Sequence, residues 1–371
     1  MIKATAEEDA KILRPAGGVL ASSEAGFTLA RTYDEGRAAE DAKMKKLRWG
    51  ILGAARINKA LVPPLQASER NELVAVASRR LEKAEAEARQ WGIPRIFGSY
   101  EALLADSGID VVYVPLPNAL HAEWTIRAAR AGKHVLCEKP LALSLEEADR
   151  VAAAAREAGV VVAEAFMYRH HPQTTKLREL VAGGAVGTPR LVRGAFTFNL
   201  TRETDVRLDP QGGGSLWDVG CYPVSFTRFV LGEEPGEAFG WQVTGPTGID
   251  ETFSGQLRFP SGCLASFDCG FRAPLRTSIE IVGSEGVLSV PHPFKPGPSE
   301  QVLLSRGGPA ESIEIAGQEL YRGEVEDLAD AVLLGRPPRV SLADSRANTA
   351  ALLALLRSAR EGRPVAVGAK G

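Results

Sequence analysis

Leu47-Arg48-Trp49-Gly50-Ile51-Leu52-Gly53-Ala54-Ala55-Arg56-Ile57-Asn58 is a short apolar run that breaks into a glycine-containing turn and then into a helical pattern. A strand that feeds a helix through a tight turn of small residues opens a dinucleotide-binding βαβ unit. Set against GxGxxG, only Gly53 matches; Ala55 and Asn58 take the other two glycine positions. Small residues there still let a pyrophosphate approach the backbone. The free N–H groups and the dipole of the helix N-terminus favour an anion at that point. Gly53, Ala55, Arg56 and Ile57 are therefore candidate cofactor contacts.

Outward from this turn, apolar strands and helical stretches alternate. Helical patterns cover Ile57 to Ala67, with Pro63 and Pro64 starting or kinking the helix, then Leu81 to Trp91 and Tyr100 to Asp106. Two more cover His121 to Ala131 and Leu145 to Ala158. Between them lie strand-like Leu73 to Ala77, Ile96, Val111 to Val114, His134 to Cys137 and Val160 to Ala165. Continuous apolar strands separated by helices predict a parallel sheet covered on both faces. The fold class expected is α/β, a Rossmann domain over residues 44–166.

After about residue 167 the pattern changes. Arg190 to Asn199, Glu251 to Phe259, Cys263 to Phe271, Thr277 to Val282 and Val287 to Val290 read as strands. Pro260-Ser261-Gly262 and Gly283-Ser284-Glu285-Gly286 look like hairpin loops between them. A second α+β domain on a mostly antiparallel sheet is expected over residues 167–371. Ser341 and Asp344 resemble a capping box ahead of an amphipathic helix with Leu352, Leu353, Leu355 and Leu356, which would return to the first domain. Residues 1–43 differ from the rest and read as an extension, an arm on a partner subunit or a loose tail.

Bulk properties exclude several classes. The 371 residues suffice for two domains, and 44 basic against 46 acidic residues leave a formal charge of -2, with no basic surplus for nucleic acid. Apolar runs such as Ala350 to Leu356 are far too short to span a bilayer, and residues 1–43 hold no apolar stretch long enough for a signal peptide. Cys137, Cys221, Cys263 and Cys269 show no metal-ligand spacing and read as reduced, mostly buried thiols of a cytoplasmic protein. The adjacent His170 and His171 point in different directions and have no acidic or cysteine company, so no metal site is expected.

The second strand bears on the cofactor. An NAD site wants an acid at its end for the ribose 2′-hydroxyl. Here the strand runs into Ser78-Arg79-Arg80, with Lys83 one turn on. A hydroxyl, a guanidinium and an ammonium suit a 2′-phosphate, so the reading favours NADP over NAD.

Two further constellations carry chemistry. Cys137-Glu138-Lys139-Pro140 follows a parallel strand, which sets Lys139 at the carboxyl edge of the sheet where ligands bind. Pro140 restricts Lys139 to an extended conformation and permits a cis bond. Gly212-Gly213-Gly214 precedes Asp218-Val219-Gly220-Cys221-Tyr222, in which Asp218 and Tyr222 share a helix face. The three glycines let the chain pack close to a ligand or cofactor.

With these residues the sequence resembles the glucose-fructose oxidoreductase, inositol dehydrogenase and MocA family. Pro117-Asn118-x-x-His121 and Ala165-Phe166-Met167-Tyr168-Arg169 add to the likeness, which runs from about Leu47 to Val365. The resemblance implies a large open sheet in the second domain and a homodimer or homotetramer built through it. It implies Lys139, Tyr222 and Asp218 as catalytic residues, Asp218 orienting substrate hydroxyls. Pro117, Asn118 and His121 would line the nicotinamide ribose and Arg169 the nicotinamide or substrate edge, with Leu116, Glu138 and Lys139 also among the cofactor contacts. Tyr222 stands where inositol dehydrogenases carry histidine, which points to the branch of xylose and dihydrodiol dehydrogenases.

The activity implied is NADP(H)-dependent hydride transfer between nicotinamide C4 and a sugar, polyol or vicinal diol, or the matching carbonyl. In that reading Tyr222 exchanges the oxygen-bound proton and the Lys139 ammonium lowers its pKa toward the working range. Two other readings stand beside it. One is a lyase, glycosidase or closed-cycle sugar oxidoreductase with tightly held cofactor and no net turnover of it. The other is a ligand sensor, which would have lost Lys139 or Tyr222. Sequence leaves open the particular sugar, the reaction direction and the oligomeric state.

Overall fold

β1 (Leu47–Leu52), β2 (Asn71–Ala77), β3 (Arg95–Phe97), β4 (Val111–Val114), β5 (His134–Glu138) and β6 (Val162–Ala165) form one sheet in the order β3-β2-β1-β4-β5-β6, every neighbour parallel. This is a computed structural model, and it describes residues 46–202 and 204–368. The 1–43 extension lies outside the described residues. α1 (Asn58–Ala67), α2 (Leu81–Trp91), α3 (Tyr100–Leu104), α4 (His121–Arg130) and α5 (Leu145–Ala158) fill the crossovers. Trp49, Ile51 and Leu61 are buried in the core on one face of the sheet, Leu52, Val112 and Val114 in the core on the other. That double burial explains why these strands read as unbroken apolar runs. Strand order reverses between β1 and β4, which opens the crevice at their carboxyl ends where doubly wound folds bind ligands.

The second sheet has nine strands in the order β14-β13-β12-β11-β7-β10-β9-β8-β15. They are β7 (Pro189–Asn199), β8 (Glu237–Thr244), β9 (Asp250–Arg258), β10 (Leu264–Gly270), β11 (Arg272–Gly283), β12 (Val287–Val290), β13 (Ser299–Ser305), β14 (Glu311–Ala316) and β15 (Val365–Ala366). β10 and β7 pair in parallel and the other neighbours are antiparallel, as the hairpin loops at 260–262 and 283–286 require. The α/β class with a mostly antiparallel second sheet is thus what the chain builds. β8, β13, β14 and β15 went unread in the sequence. In β8 the cause is visible: Gly240 breaks the strand pattern because a Cβ there would sit 2.6 Å from the Phe253 ring. Along β9, Phe253 and Leu257 are buried while Thr252, Ser254 and Gln256 are exposed, so one face of the sheet is packed and the other is open.

α6 (Pro172–Ala182), α7 (Cys221–Leu231), α8 (Arg322–Leu334) and α9 (Leu342–Glu361) complete the structure. α9 packs on β8, α7 and α5 together, and Arg346 Nε meets Asp149 Oδ1 of α5 at 2.6 Å. Ser341 Oγ accepts from the Asp344 amide at 3.1 Å, half of a capping box. The Asp344 carboxylate turns elsewhere, to Arg169 and Arg228.

Candidate active site

A cleft of about 580 Å³ opens at the carboxyl edge of the parallel sheet. Its walls come from the turn after β1 (Ala55, Arg56, Ile57), the 115–121 segment, Glu138 and Lys139 after β5, and Asp218 and Tyr222. Asn199 to Arg202, Asp205 to Arg207, Gln211 to Gly214 and Lys295 of the second domain line the far side.

The nucleotide end follows from the first turn. Gly53 has φ +118, and a Cβ there would crowd Leu116 Cδ2 at 3.2 Å. None of the N–H groups of Ala54, Ala55, Arg56 and Ile57 has a hydrogen-bond acceptor among the described residues. The first turn of α1 carries no acid. Four free donors at a helix N-terminus fit a pyrophosphate. Arg56 Nη2 meets Asp205 Oδ2 at 2.5 Å and so joins this turn to the loop across the cleft. At the end of β2, Ser78 is buried and accepts from the Arg80 amide at 3.2 Å. Arg79, Arg80 and Lys83 are exposed, and Arg80 meets Glu82 only loosely, at 3.8 Å. Two guanidiniums and an ammonium on one rim fit a 2′-phosphate.

The chemical end is a chain of ion pairs. The Lys139–Pro140 bond is cis. Lys139 Nζ donates to Asp218 Oδ1 at 2.9 Å and to the Asp218 carbonyl at 2.6 Å. Arg207 Nε donates to the other carboxylate oxygen, Oδ2, at 2.6 Å, and Arg207 Nη1 to Asp205 Oδ1 at 3.2 Å. Burial works against every one of these charges, yet their mutual attraction outweighs it. Lys139 and Arg207 are held above their ordinary pKa and Asp218 below its own, so the pairs stay ionised. Glu138, whose carboxyl burial raises, accepts from Tyr113 Oη at 2.6 Å and from the Lys139 amide at 3.3 Å.

Tyr222 starts α7, just after a π-helical turn over Leu216–Gly220. Its ring lies in an aromatic cage: Phe196 at 5.3 Å, Phe294 at 5.5 Å, and Phe166 and Tyr168 both at 5.7 Å. Its hydroxyl is 3.7 Å from Met167 Sδ, and Lys139 Nζ lies 5.4 Å from the ring centroid. Burial pushes the phenol well above its ordinary value. This runs against the expectation that Lys139 lowers it: the ammonium is engaged by Asp218 and faces the ring, and burial favours the neutral phenol.

Three other expectations meet a different geometry. Arg169 is 5% exposed and does not line the cleft; Nη1 bonds Ser225 Oγ at 3.1 Å and Asp344 Oδ2 at 3.0 Å, with the guanidinium 4.1 Å over Phe229. It is a strut between α7 and α9. His121 does border the cleft, but its ring is clamped between the Pro140 carbonyl at 2.8 Å and the Leu116 carbonyl at 2.6 Å. The three glycines line the cleft, but what they approach closely is the chain itself. A Cβ on Gly213 would fall on the Arg207 carbonyl, and one on Gly214 (φ +115) on Asp250 Oδ1. Asp250 Oδ2 in turn accepts from Ser215 Oγ and the Leu216 amide, both at 2.7 Å, which seats the turn carrying Asp218. Asn118 Nδ2 donates to the Gly212 carbonyl at 2.8 Å and ties the two walls together.

Sequence reasoning missed Arg207 and Lys295, which sit in loops without a motif. The four cysteines are buried and free, and burial raises each thiol. No cluster of three or more histidine, cysteine or acidic side chains suited to a metal occurs among the described residues. Nor does any described helix have the length and apolarity to cross a membrane.

Comparison with known proteins gives the same two-part layout. The oxidoreductase family with an NAD-binding Rossmann fold matches residues 47–166, and the C-terminal domain of the glucose-fructose oxidoreductase, inositol dehydrogenase and MocA group matches residues 174–289. The chain is 40% identical to a D-xylose 1-dehydrogenase (NADP(+)) of Haloferax volcanii, over 86% of this chain and 99% of that protein. A 3-ketoreductase from Actinomadura kijaniata, solved with NADP and TDP-benzene, superposes with a TM-score of 0.81 at 32% identity, covering 85% of this chain and 98% of that one. An aldose-aldose oxidoreductase from Caulobacter crescentus, complexed with glycerol, also gives 0.81, at 29% identity over 87% of this chain and 100% of its own. Likeness on that scale, running through both halves, makes this chain a member of the glucose-fructose oxidoreductase, inositol dehydrogenase and MocA family of oxidoreductases.

Proposed function

We propose that this chain is an NADP(H)-dependent oxidoreductase of a sugar, polyol or vicinal diol, or of the matching ketone or aldehyde. The observation that carries the reading is the meeting of Lys139, Asp218 and Tyr222 in one cleft with the nucleotide-binding turn. The unpaired N–H groups at Ala54 to Ile57 would hold the pyrophosphate, and Ser78, Arg79 and Lys83 the 2′-phosphate. Leu116, Pro117, Asn118 and Glu138 would border the nicotinamide ribose. NADP, when bound, supplies the hydride acceptor, and its reduced form the donor.

The chain's own residues supply the rest. An ammonium has three N–H donors. Two on Lys139 are taken by Asp218 Oδ1 and the Asp218 carbonyl, which aims the third at a substrate oxygen and stabilises negative charge growing there. Arg207 holds the outer oxygen of Asp218 and so fixes the direction in which Asp218 presents Lys139. Tyr222 gives its hydroxyl proton to the carbonyl oxygen as the carbon is reduced. A phenol whose pKa is raised donates readily only to a strongly basic oxygen, such as an alkoxide forming in the transition state. The raised phenol therefore supports carbonyl reduction near neutrality. Oxidation of the alcohol returns the proton to Tyr222 and gains as pH rises.

This reading carries with it a soluble, cytoplasmic enzyme and a homodimer or homotetramer through the open sheet face, where Trp241 and Val243 are each 64% exposed. A closed cycle between two sugars draws support from the likeness to the Caulobacter aldose-aldose oxidoreductase. The test is NADPH deuterated at nicotinamide C4, given with keto-sugars and aldehydes. Deuterium on the reduced carbon, read by mass spectrometry, supports direct transfer. Its complete absence, with cofactor unchanged, contradicts it.

A further inference from the structure

Lys295 lines the same cleft from the second domain, and no motif marks it. It lies on the loop between β12 and β13, in the run His292-Pro293-Phe294-Lys295-Pro296-Gly297-Pro298. Pro296 confines Lys295 to extended backbone. Phe294 beside it is 0% exposed, stacked on Phe196 at 5.4 Å and set against Tyr222 at 5.5 Å. The loop is pinned at both ends. Glu300 Oε1 accepts from the Gly297 amide at 2.6 Å and Glu300 Oε2 contacts His292 Nδ1 at 3.1 Å; Gln173 Nε2 donates to the His292 carbonyl at 3.0 Å. The aromatic cage that fixes the Tyr222 hydroxyl therefore also fixes the root of Lys295.

The ammonium so placed makes no hydrogen bond or ion pair among the described residues; of the acids that line the cleft, Asp209 accepts from the Gln211 amide at 2.8 Å and does not reach Lys295, and the other three are engaged by other groups. Asp218 Oδ1 belongs to Lys139 and Oδ2 to Arg207. Asp205 Oδ2 belongs to Arg56 and Oδ1 to Arg207. Glu138 Oε1 accepts from Tyr113 and Oε2 from the Lys139 amide. Lys139, Arg207 and Lys295 thus face one shared carboxylate. Burial, and then the two neighbouring cations against the pull of Asp218, work to deprotonate Lys295. An amine held in a half-enclosed cleft beside two other cations keeps its charge best with an oxyanion next to it, which makes this a place suited to an anionic group.

We propose that the substrate is a carbohydrate bearing an oxyanion, carboxylate or phosphate, on a carbon away from the reacting one, and that Lys295 binds that group. The proposal rests on the oxidoreductase reading above for the reaction, but not for the binding. Tyr222 and Lys139 address the reacting carbon at one end of the cleft, and Lys295 selects the charged end.

The test uses the full chain with NADP and three matched aldoses: glucose, glucuronate and glucose 6-phosphate. One of the anionic sugars is expected to exceed glucose in kcat/KM by about tenfold or more. Glucuronate in front identifies the carboxylate, glucose 6-phosphate the phosphate. Lys295→Gln should bring the ratio to near one, Lys295→Glu should invert it, and Lys295→Arg should restore it. A ratio near one in the native chain, or one that Lys295→Gln leaves alone, overturns the subsite while leaving the oxidoreductase reading intact. If no sugar is turned over, melting of the NADP-loaded protein with each ligand decides. Stabilisation by an anionic sugar that is lost in Lys295→Gln keeps the subsite and removes only oxidation of these aldoses, leaving NADPH with keto-sugars to decide the oxidoreductase reading. Stabilisation that ignores Lys295, or none at all, overturns the subsite.

Discussion

Replacing Lys139 by methionine keeps the stem and removes the ammonium, so it isolates the charge. Asp218 would then lose both bonds from Nζ, at 2.9 and 2.6 Å, while keeping the Arg207 bond at 2.6 Å. Orphaning a buried charge costs about 3–5 kcal/mol. The surviving Arg207 bond, charge-assisted and worth about 1.5–3 kcal/mol, retains part of that. A net loss of about 2 kcal/mol is expected. With an unfolding entropy of roughly 2.1 cal/mol/K per residue, a chain of this size loses about 3 °C in Tm. Adding Asp218→Leu removes the stranded carboxylate but also the Arg207 bond, leaving Arg207 to Asp205 alone, so it should return only part of the loss. Turnover should fall by on the order of 10²–10³ or more, since a donor to the developing oxyanion is gone, while NADPH binding stays near native. Circular dichroism melts of the two variants, with a fluorescence titration of NADPH, read all of this. A Lys139→Met protein that melts at the native temperature, or still turns over, would refute the coupling of Lys139 to Asp218.

Further outcomes follow from other parts of the structure. Arg79→Glu should raise KM for NADP by about tenfold or more and leave that for NAD nearly unchanged, because a carboxylate on that rim repels the 2′-phosphate; equal effects on both would contradict the rim assignment. Glu164 is buried, accepts from the Leu141 amide at 2.9 Å, and burial raises it to about 7 from 4.5. A carboxyl raised in the fold costs stability as pH climbs from its unfolded value through its folded one. Glu164→Gln should therefore gain up to roughly 3 kcal/mol over the native chain between pH 4.5 and 8, read as Tm against pH. Gly214→Ala puts a Cβ on Asp250 Oδ1 at φ +115 and should destabilise by about 2–4 kcal/mol in a thermal melt. Carbonyl reduction should hold its rate from pH 6 to 9, because the Tyr222 phenol stays protonated throughout; a fall centred near neutrality would assign the proton to another group.

What the sequence disclosed was whatever local chemistry forces on the chain. The strands of the first sheet are buried on both faces, so their apolar runs stand out, and α2 and α5 end on the glycines 92 and 159 that stop them in the left-handed region. The places of Lys139, Asp218 and Tyr222 were legible because each stands at a fixed point after a strand or on a helix start, and the family resemblance singled them out from there. Arg207 and Lys295 were not, since their places depend on loops seated by distant partners: Gly213 against the Arg207 carbonyl, Phe294 against Tyr222. Arg169 was drawn to the cleft by its place in a motif, but its acid partner is Asp344, 175 positions away, a contact no local pattern reports. The protonation of Tyr222 was misjudged for a related reason. Only the fold shows that Asp218 claims the ammonium and that four aromatic rings bury the phenol.

The most direct measurement is the reduced-nicotinamide absorbance of the native chain, with NADP and NAD supplied in turn against aldoses, polyols and diols, and NADPH against keto-sugars. The account predicts a signal with NADP or NADPH and a sugar-like substrate, weaker with NAD, and abolished in Tyr222→Phe. A flat trace with every pair, from protein that binds NADP and carries none on purification, would contradict it.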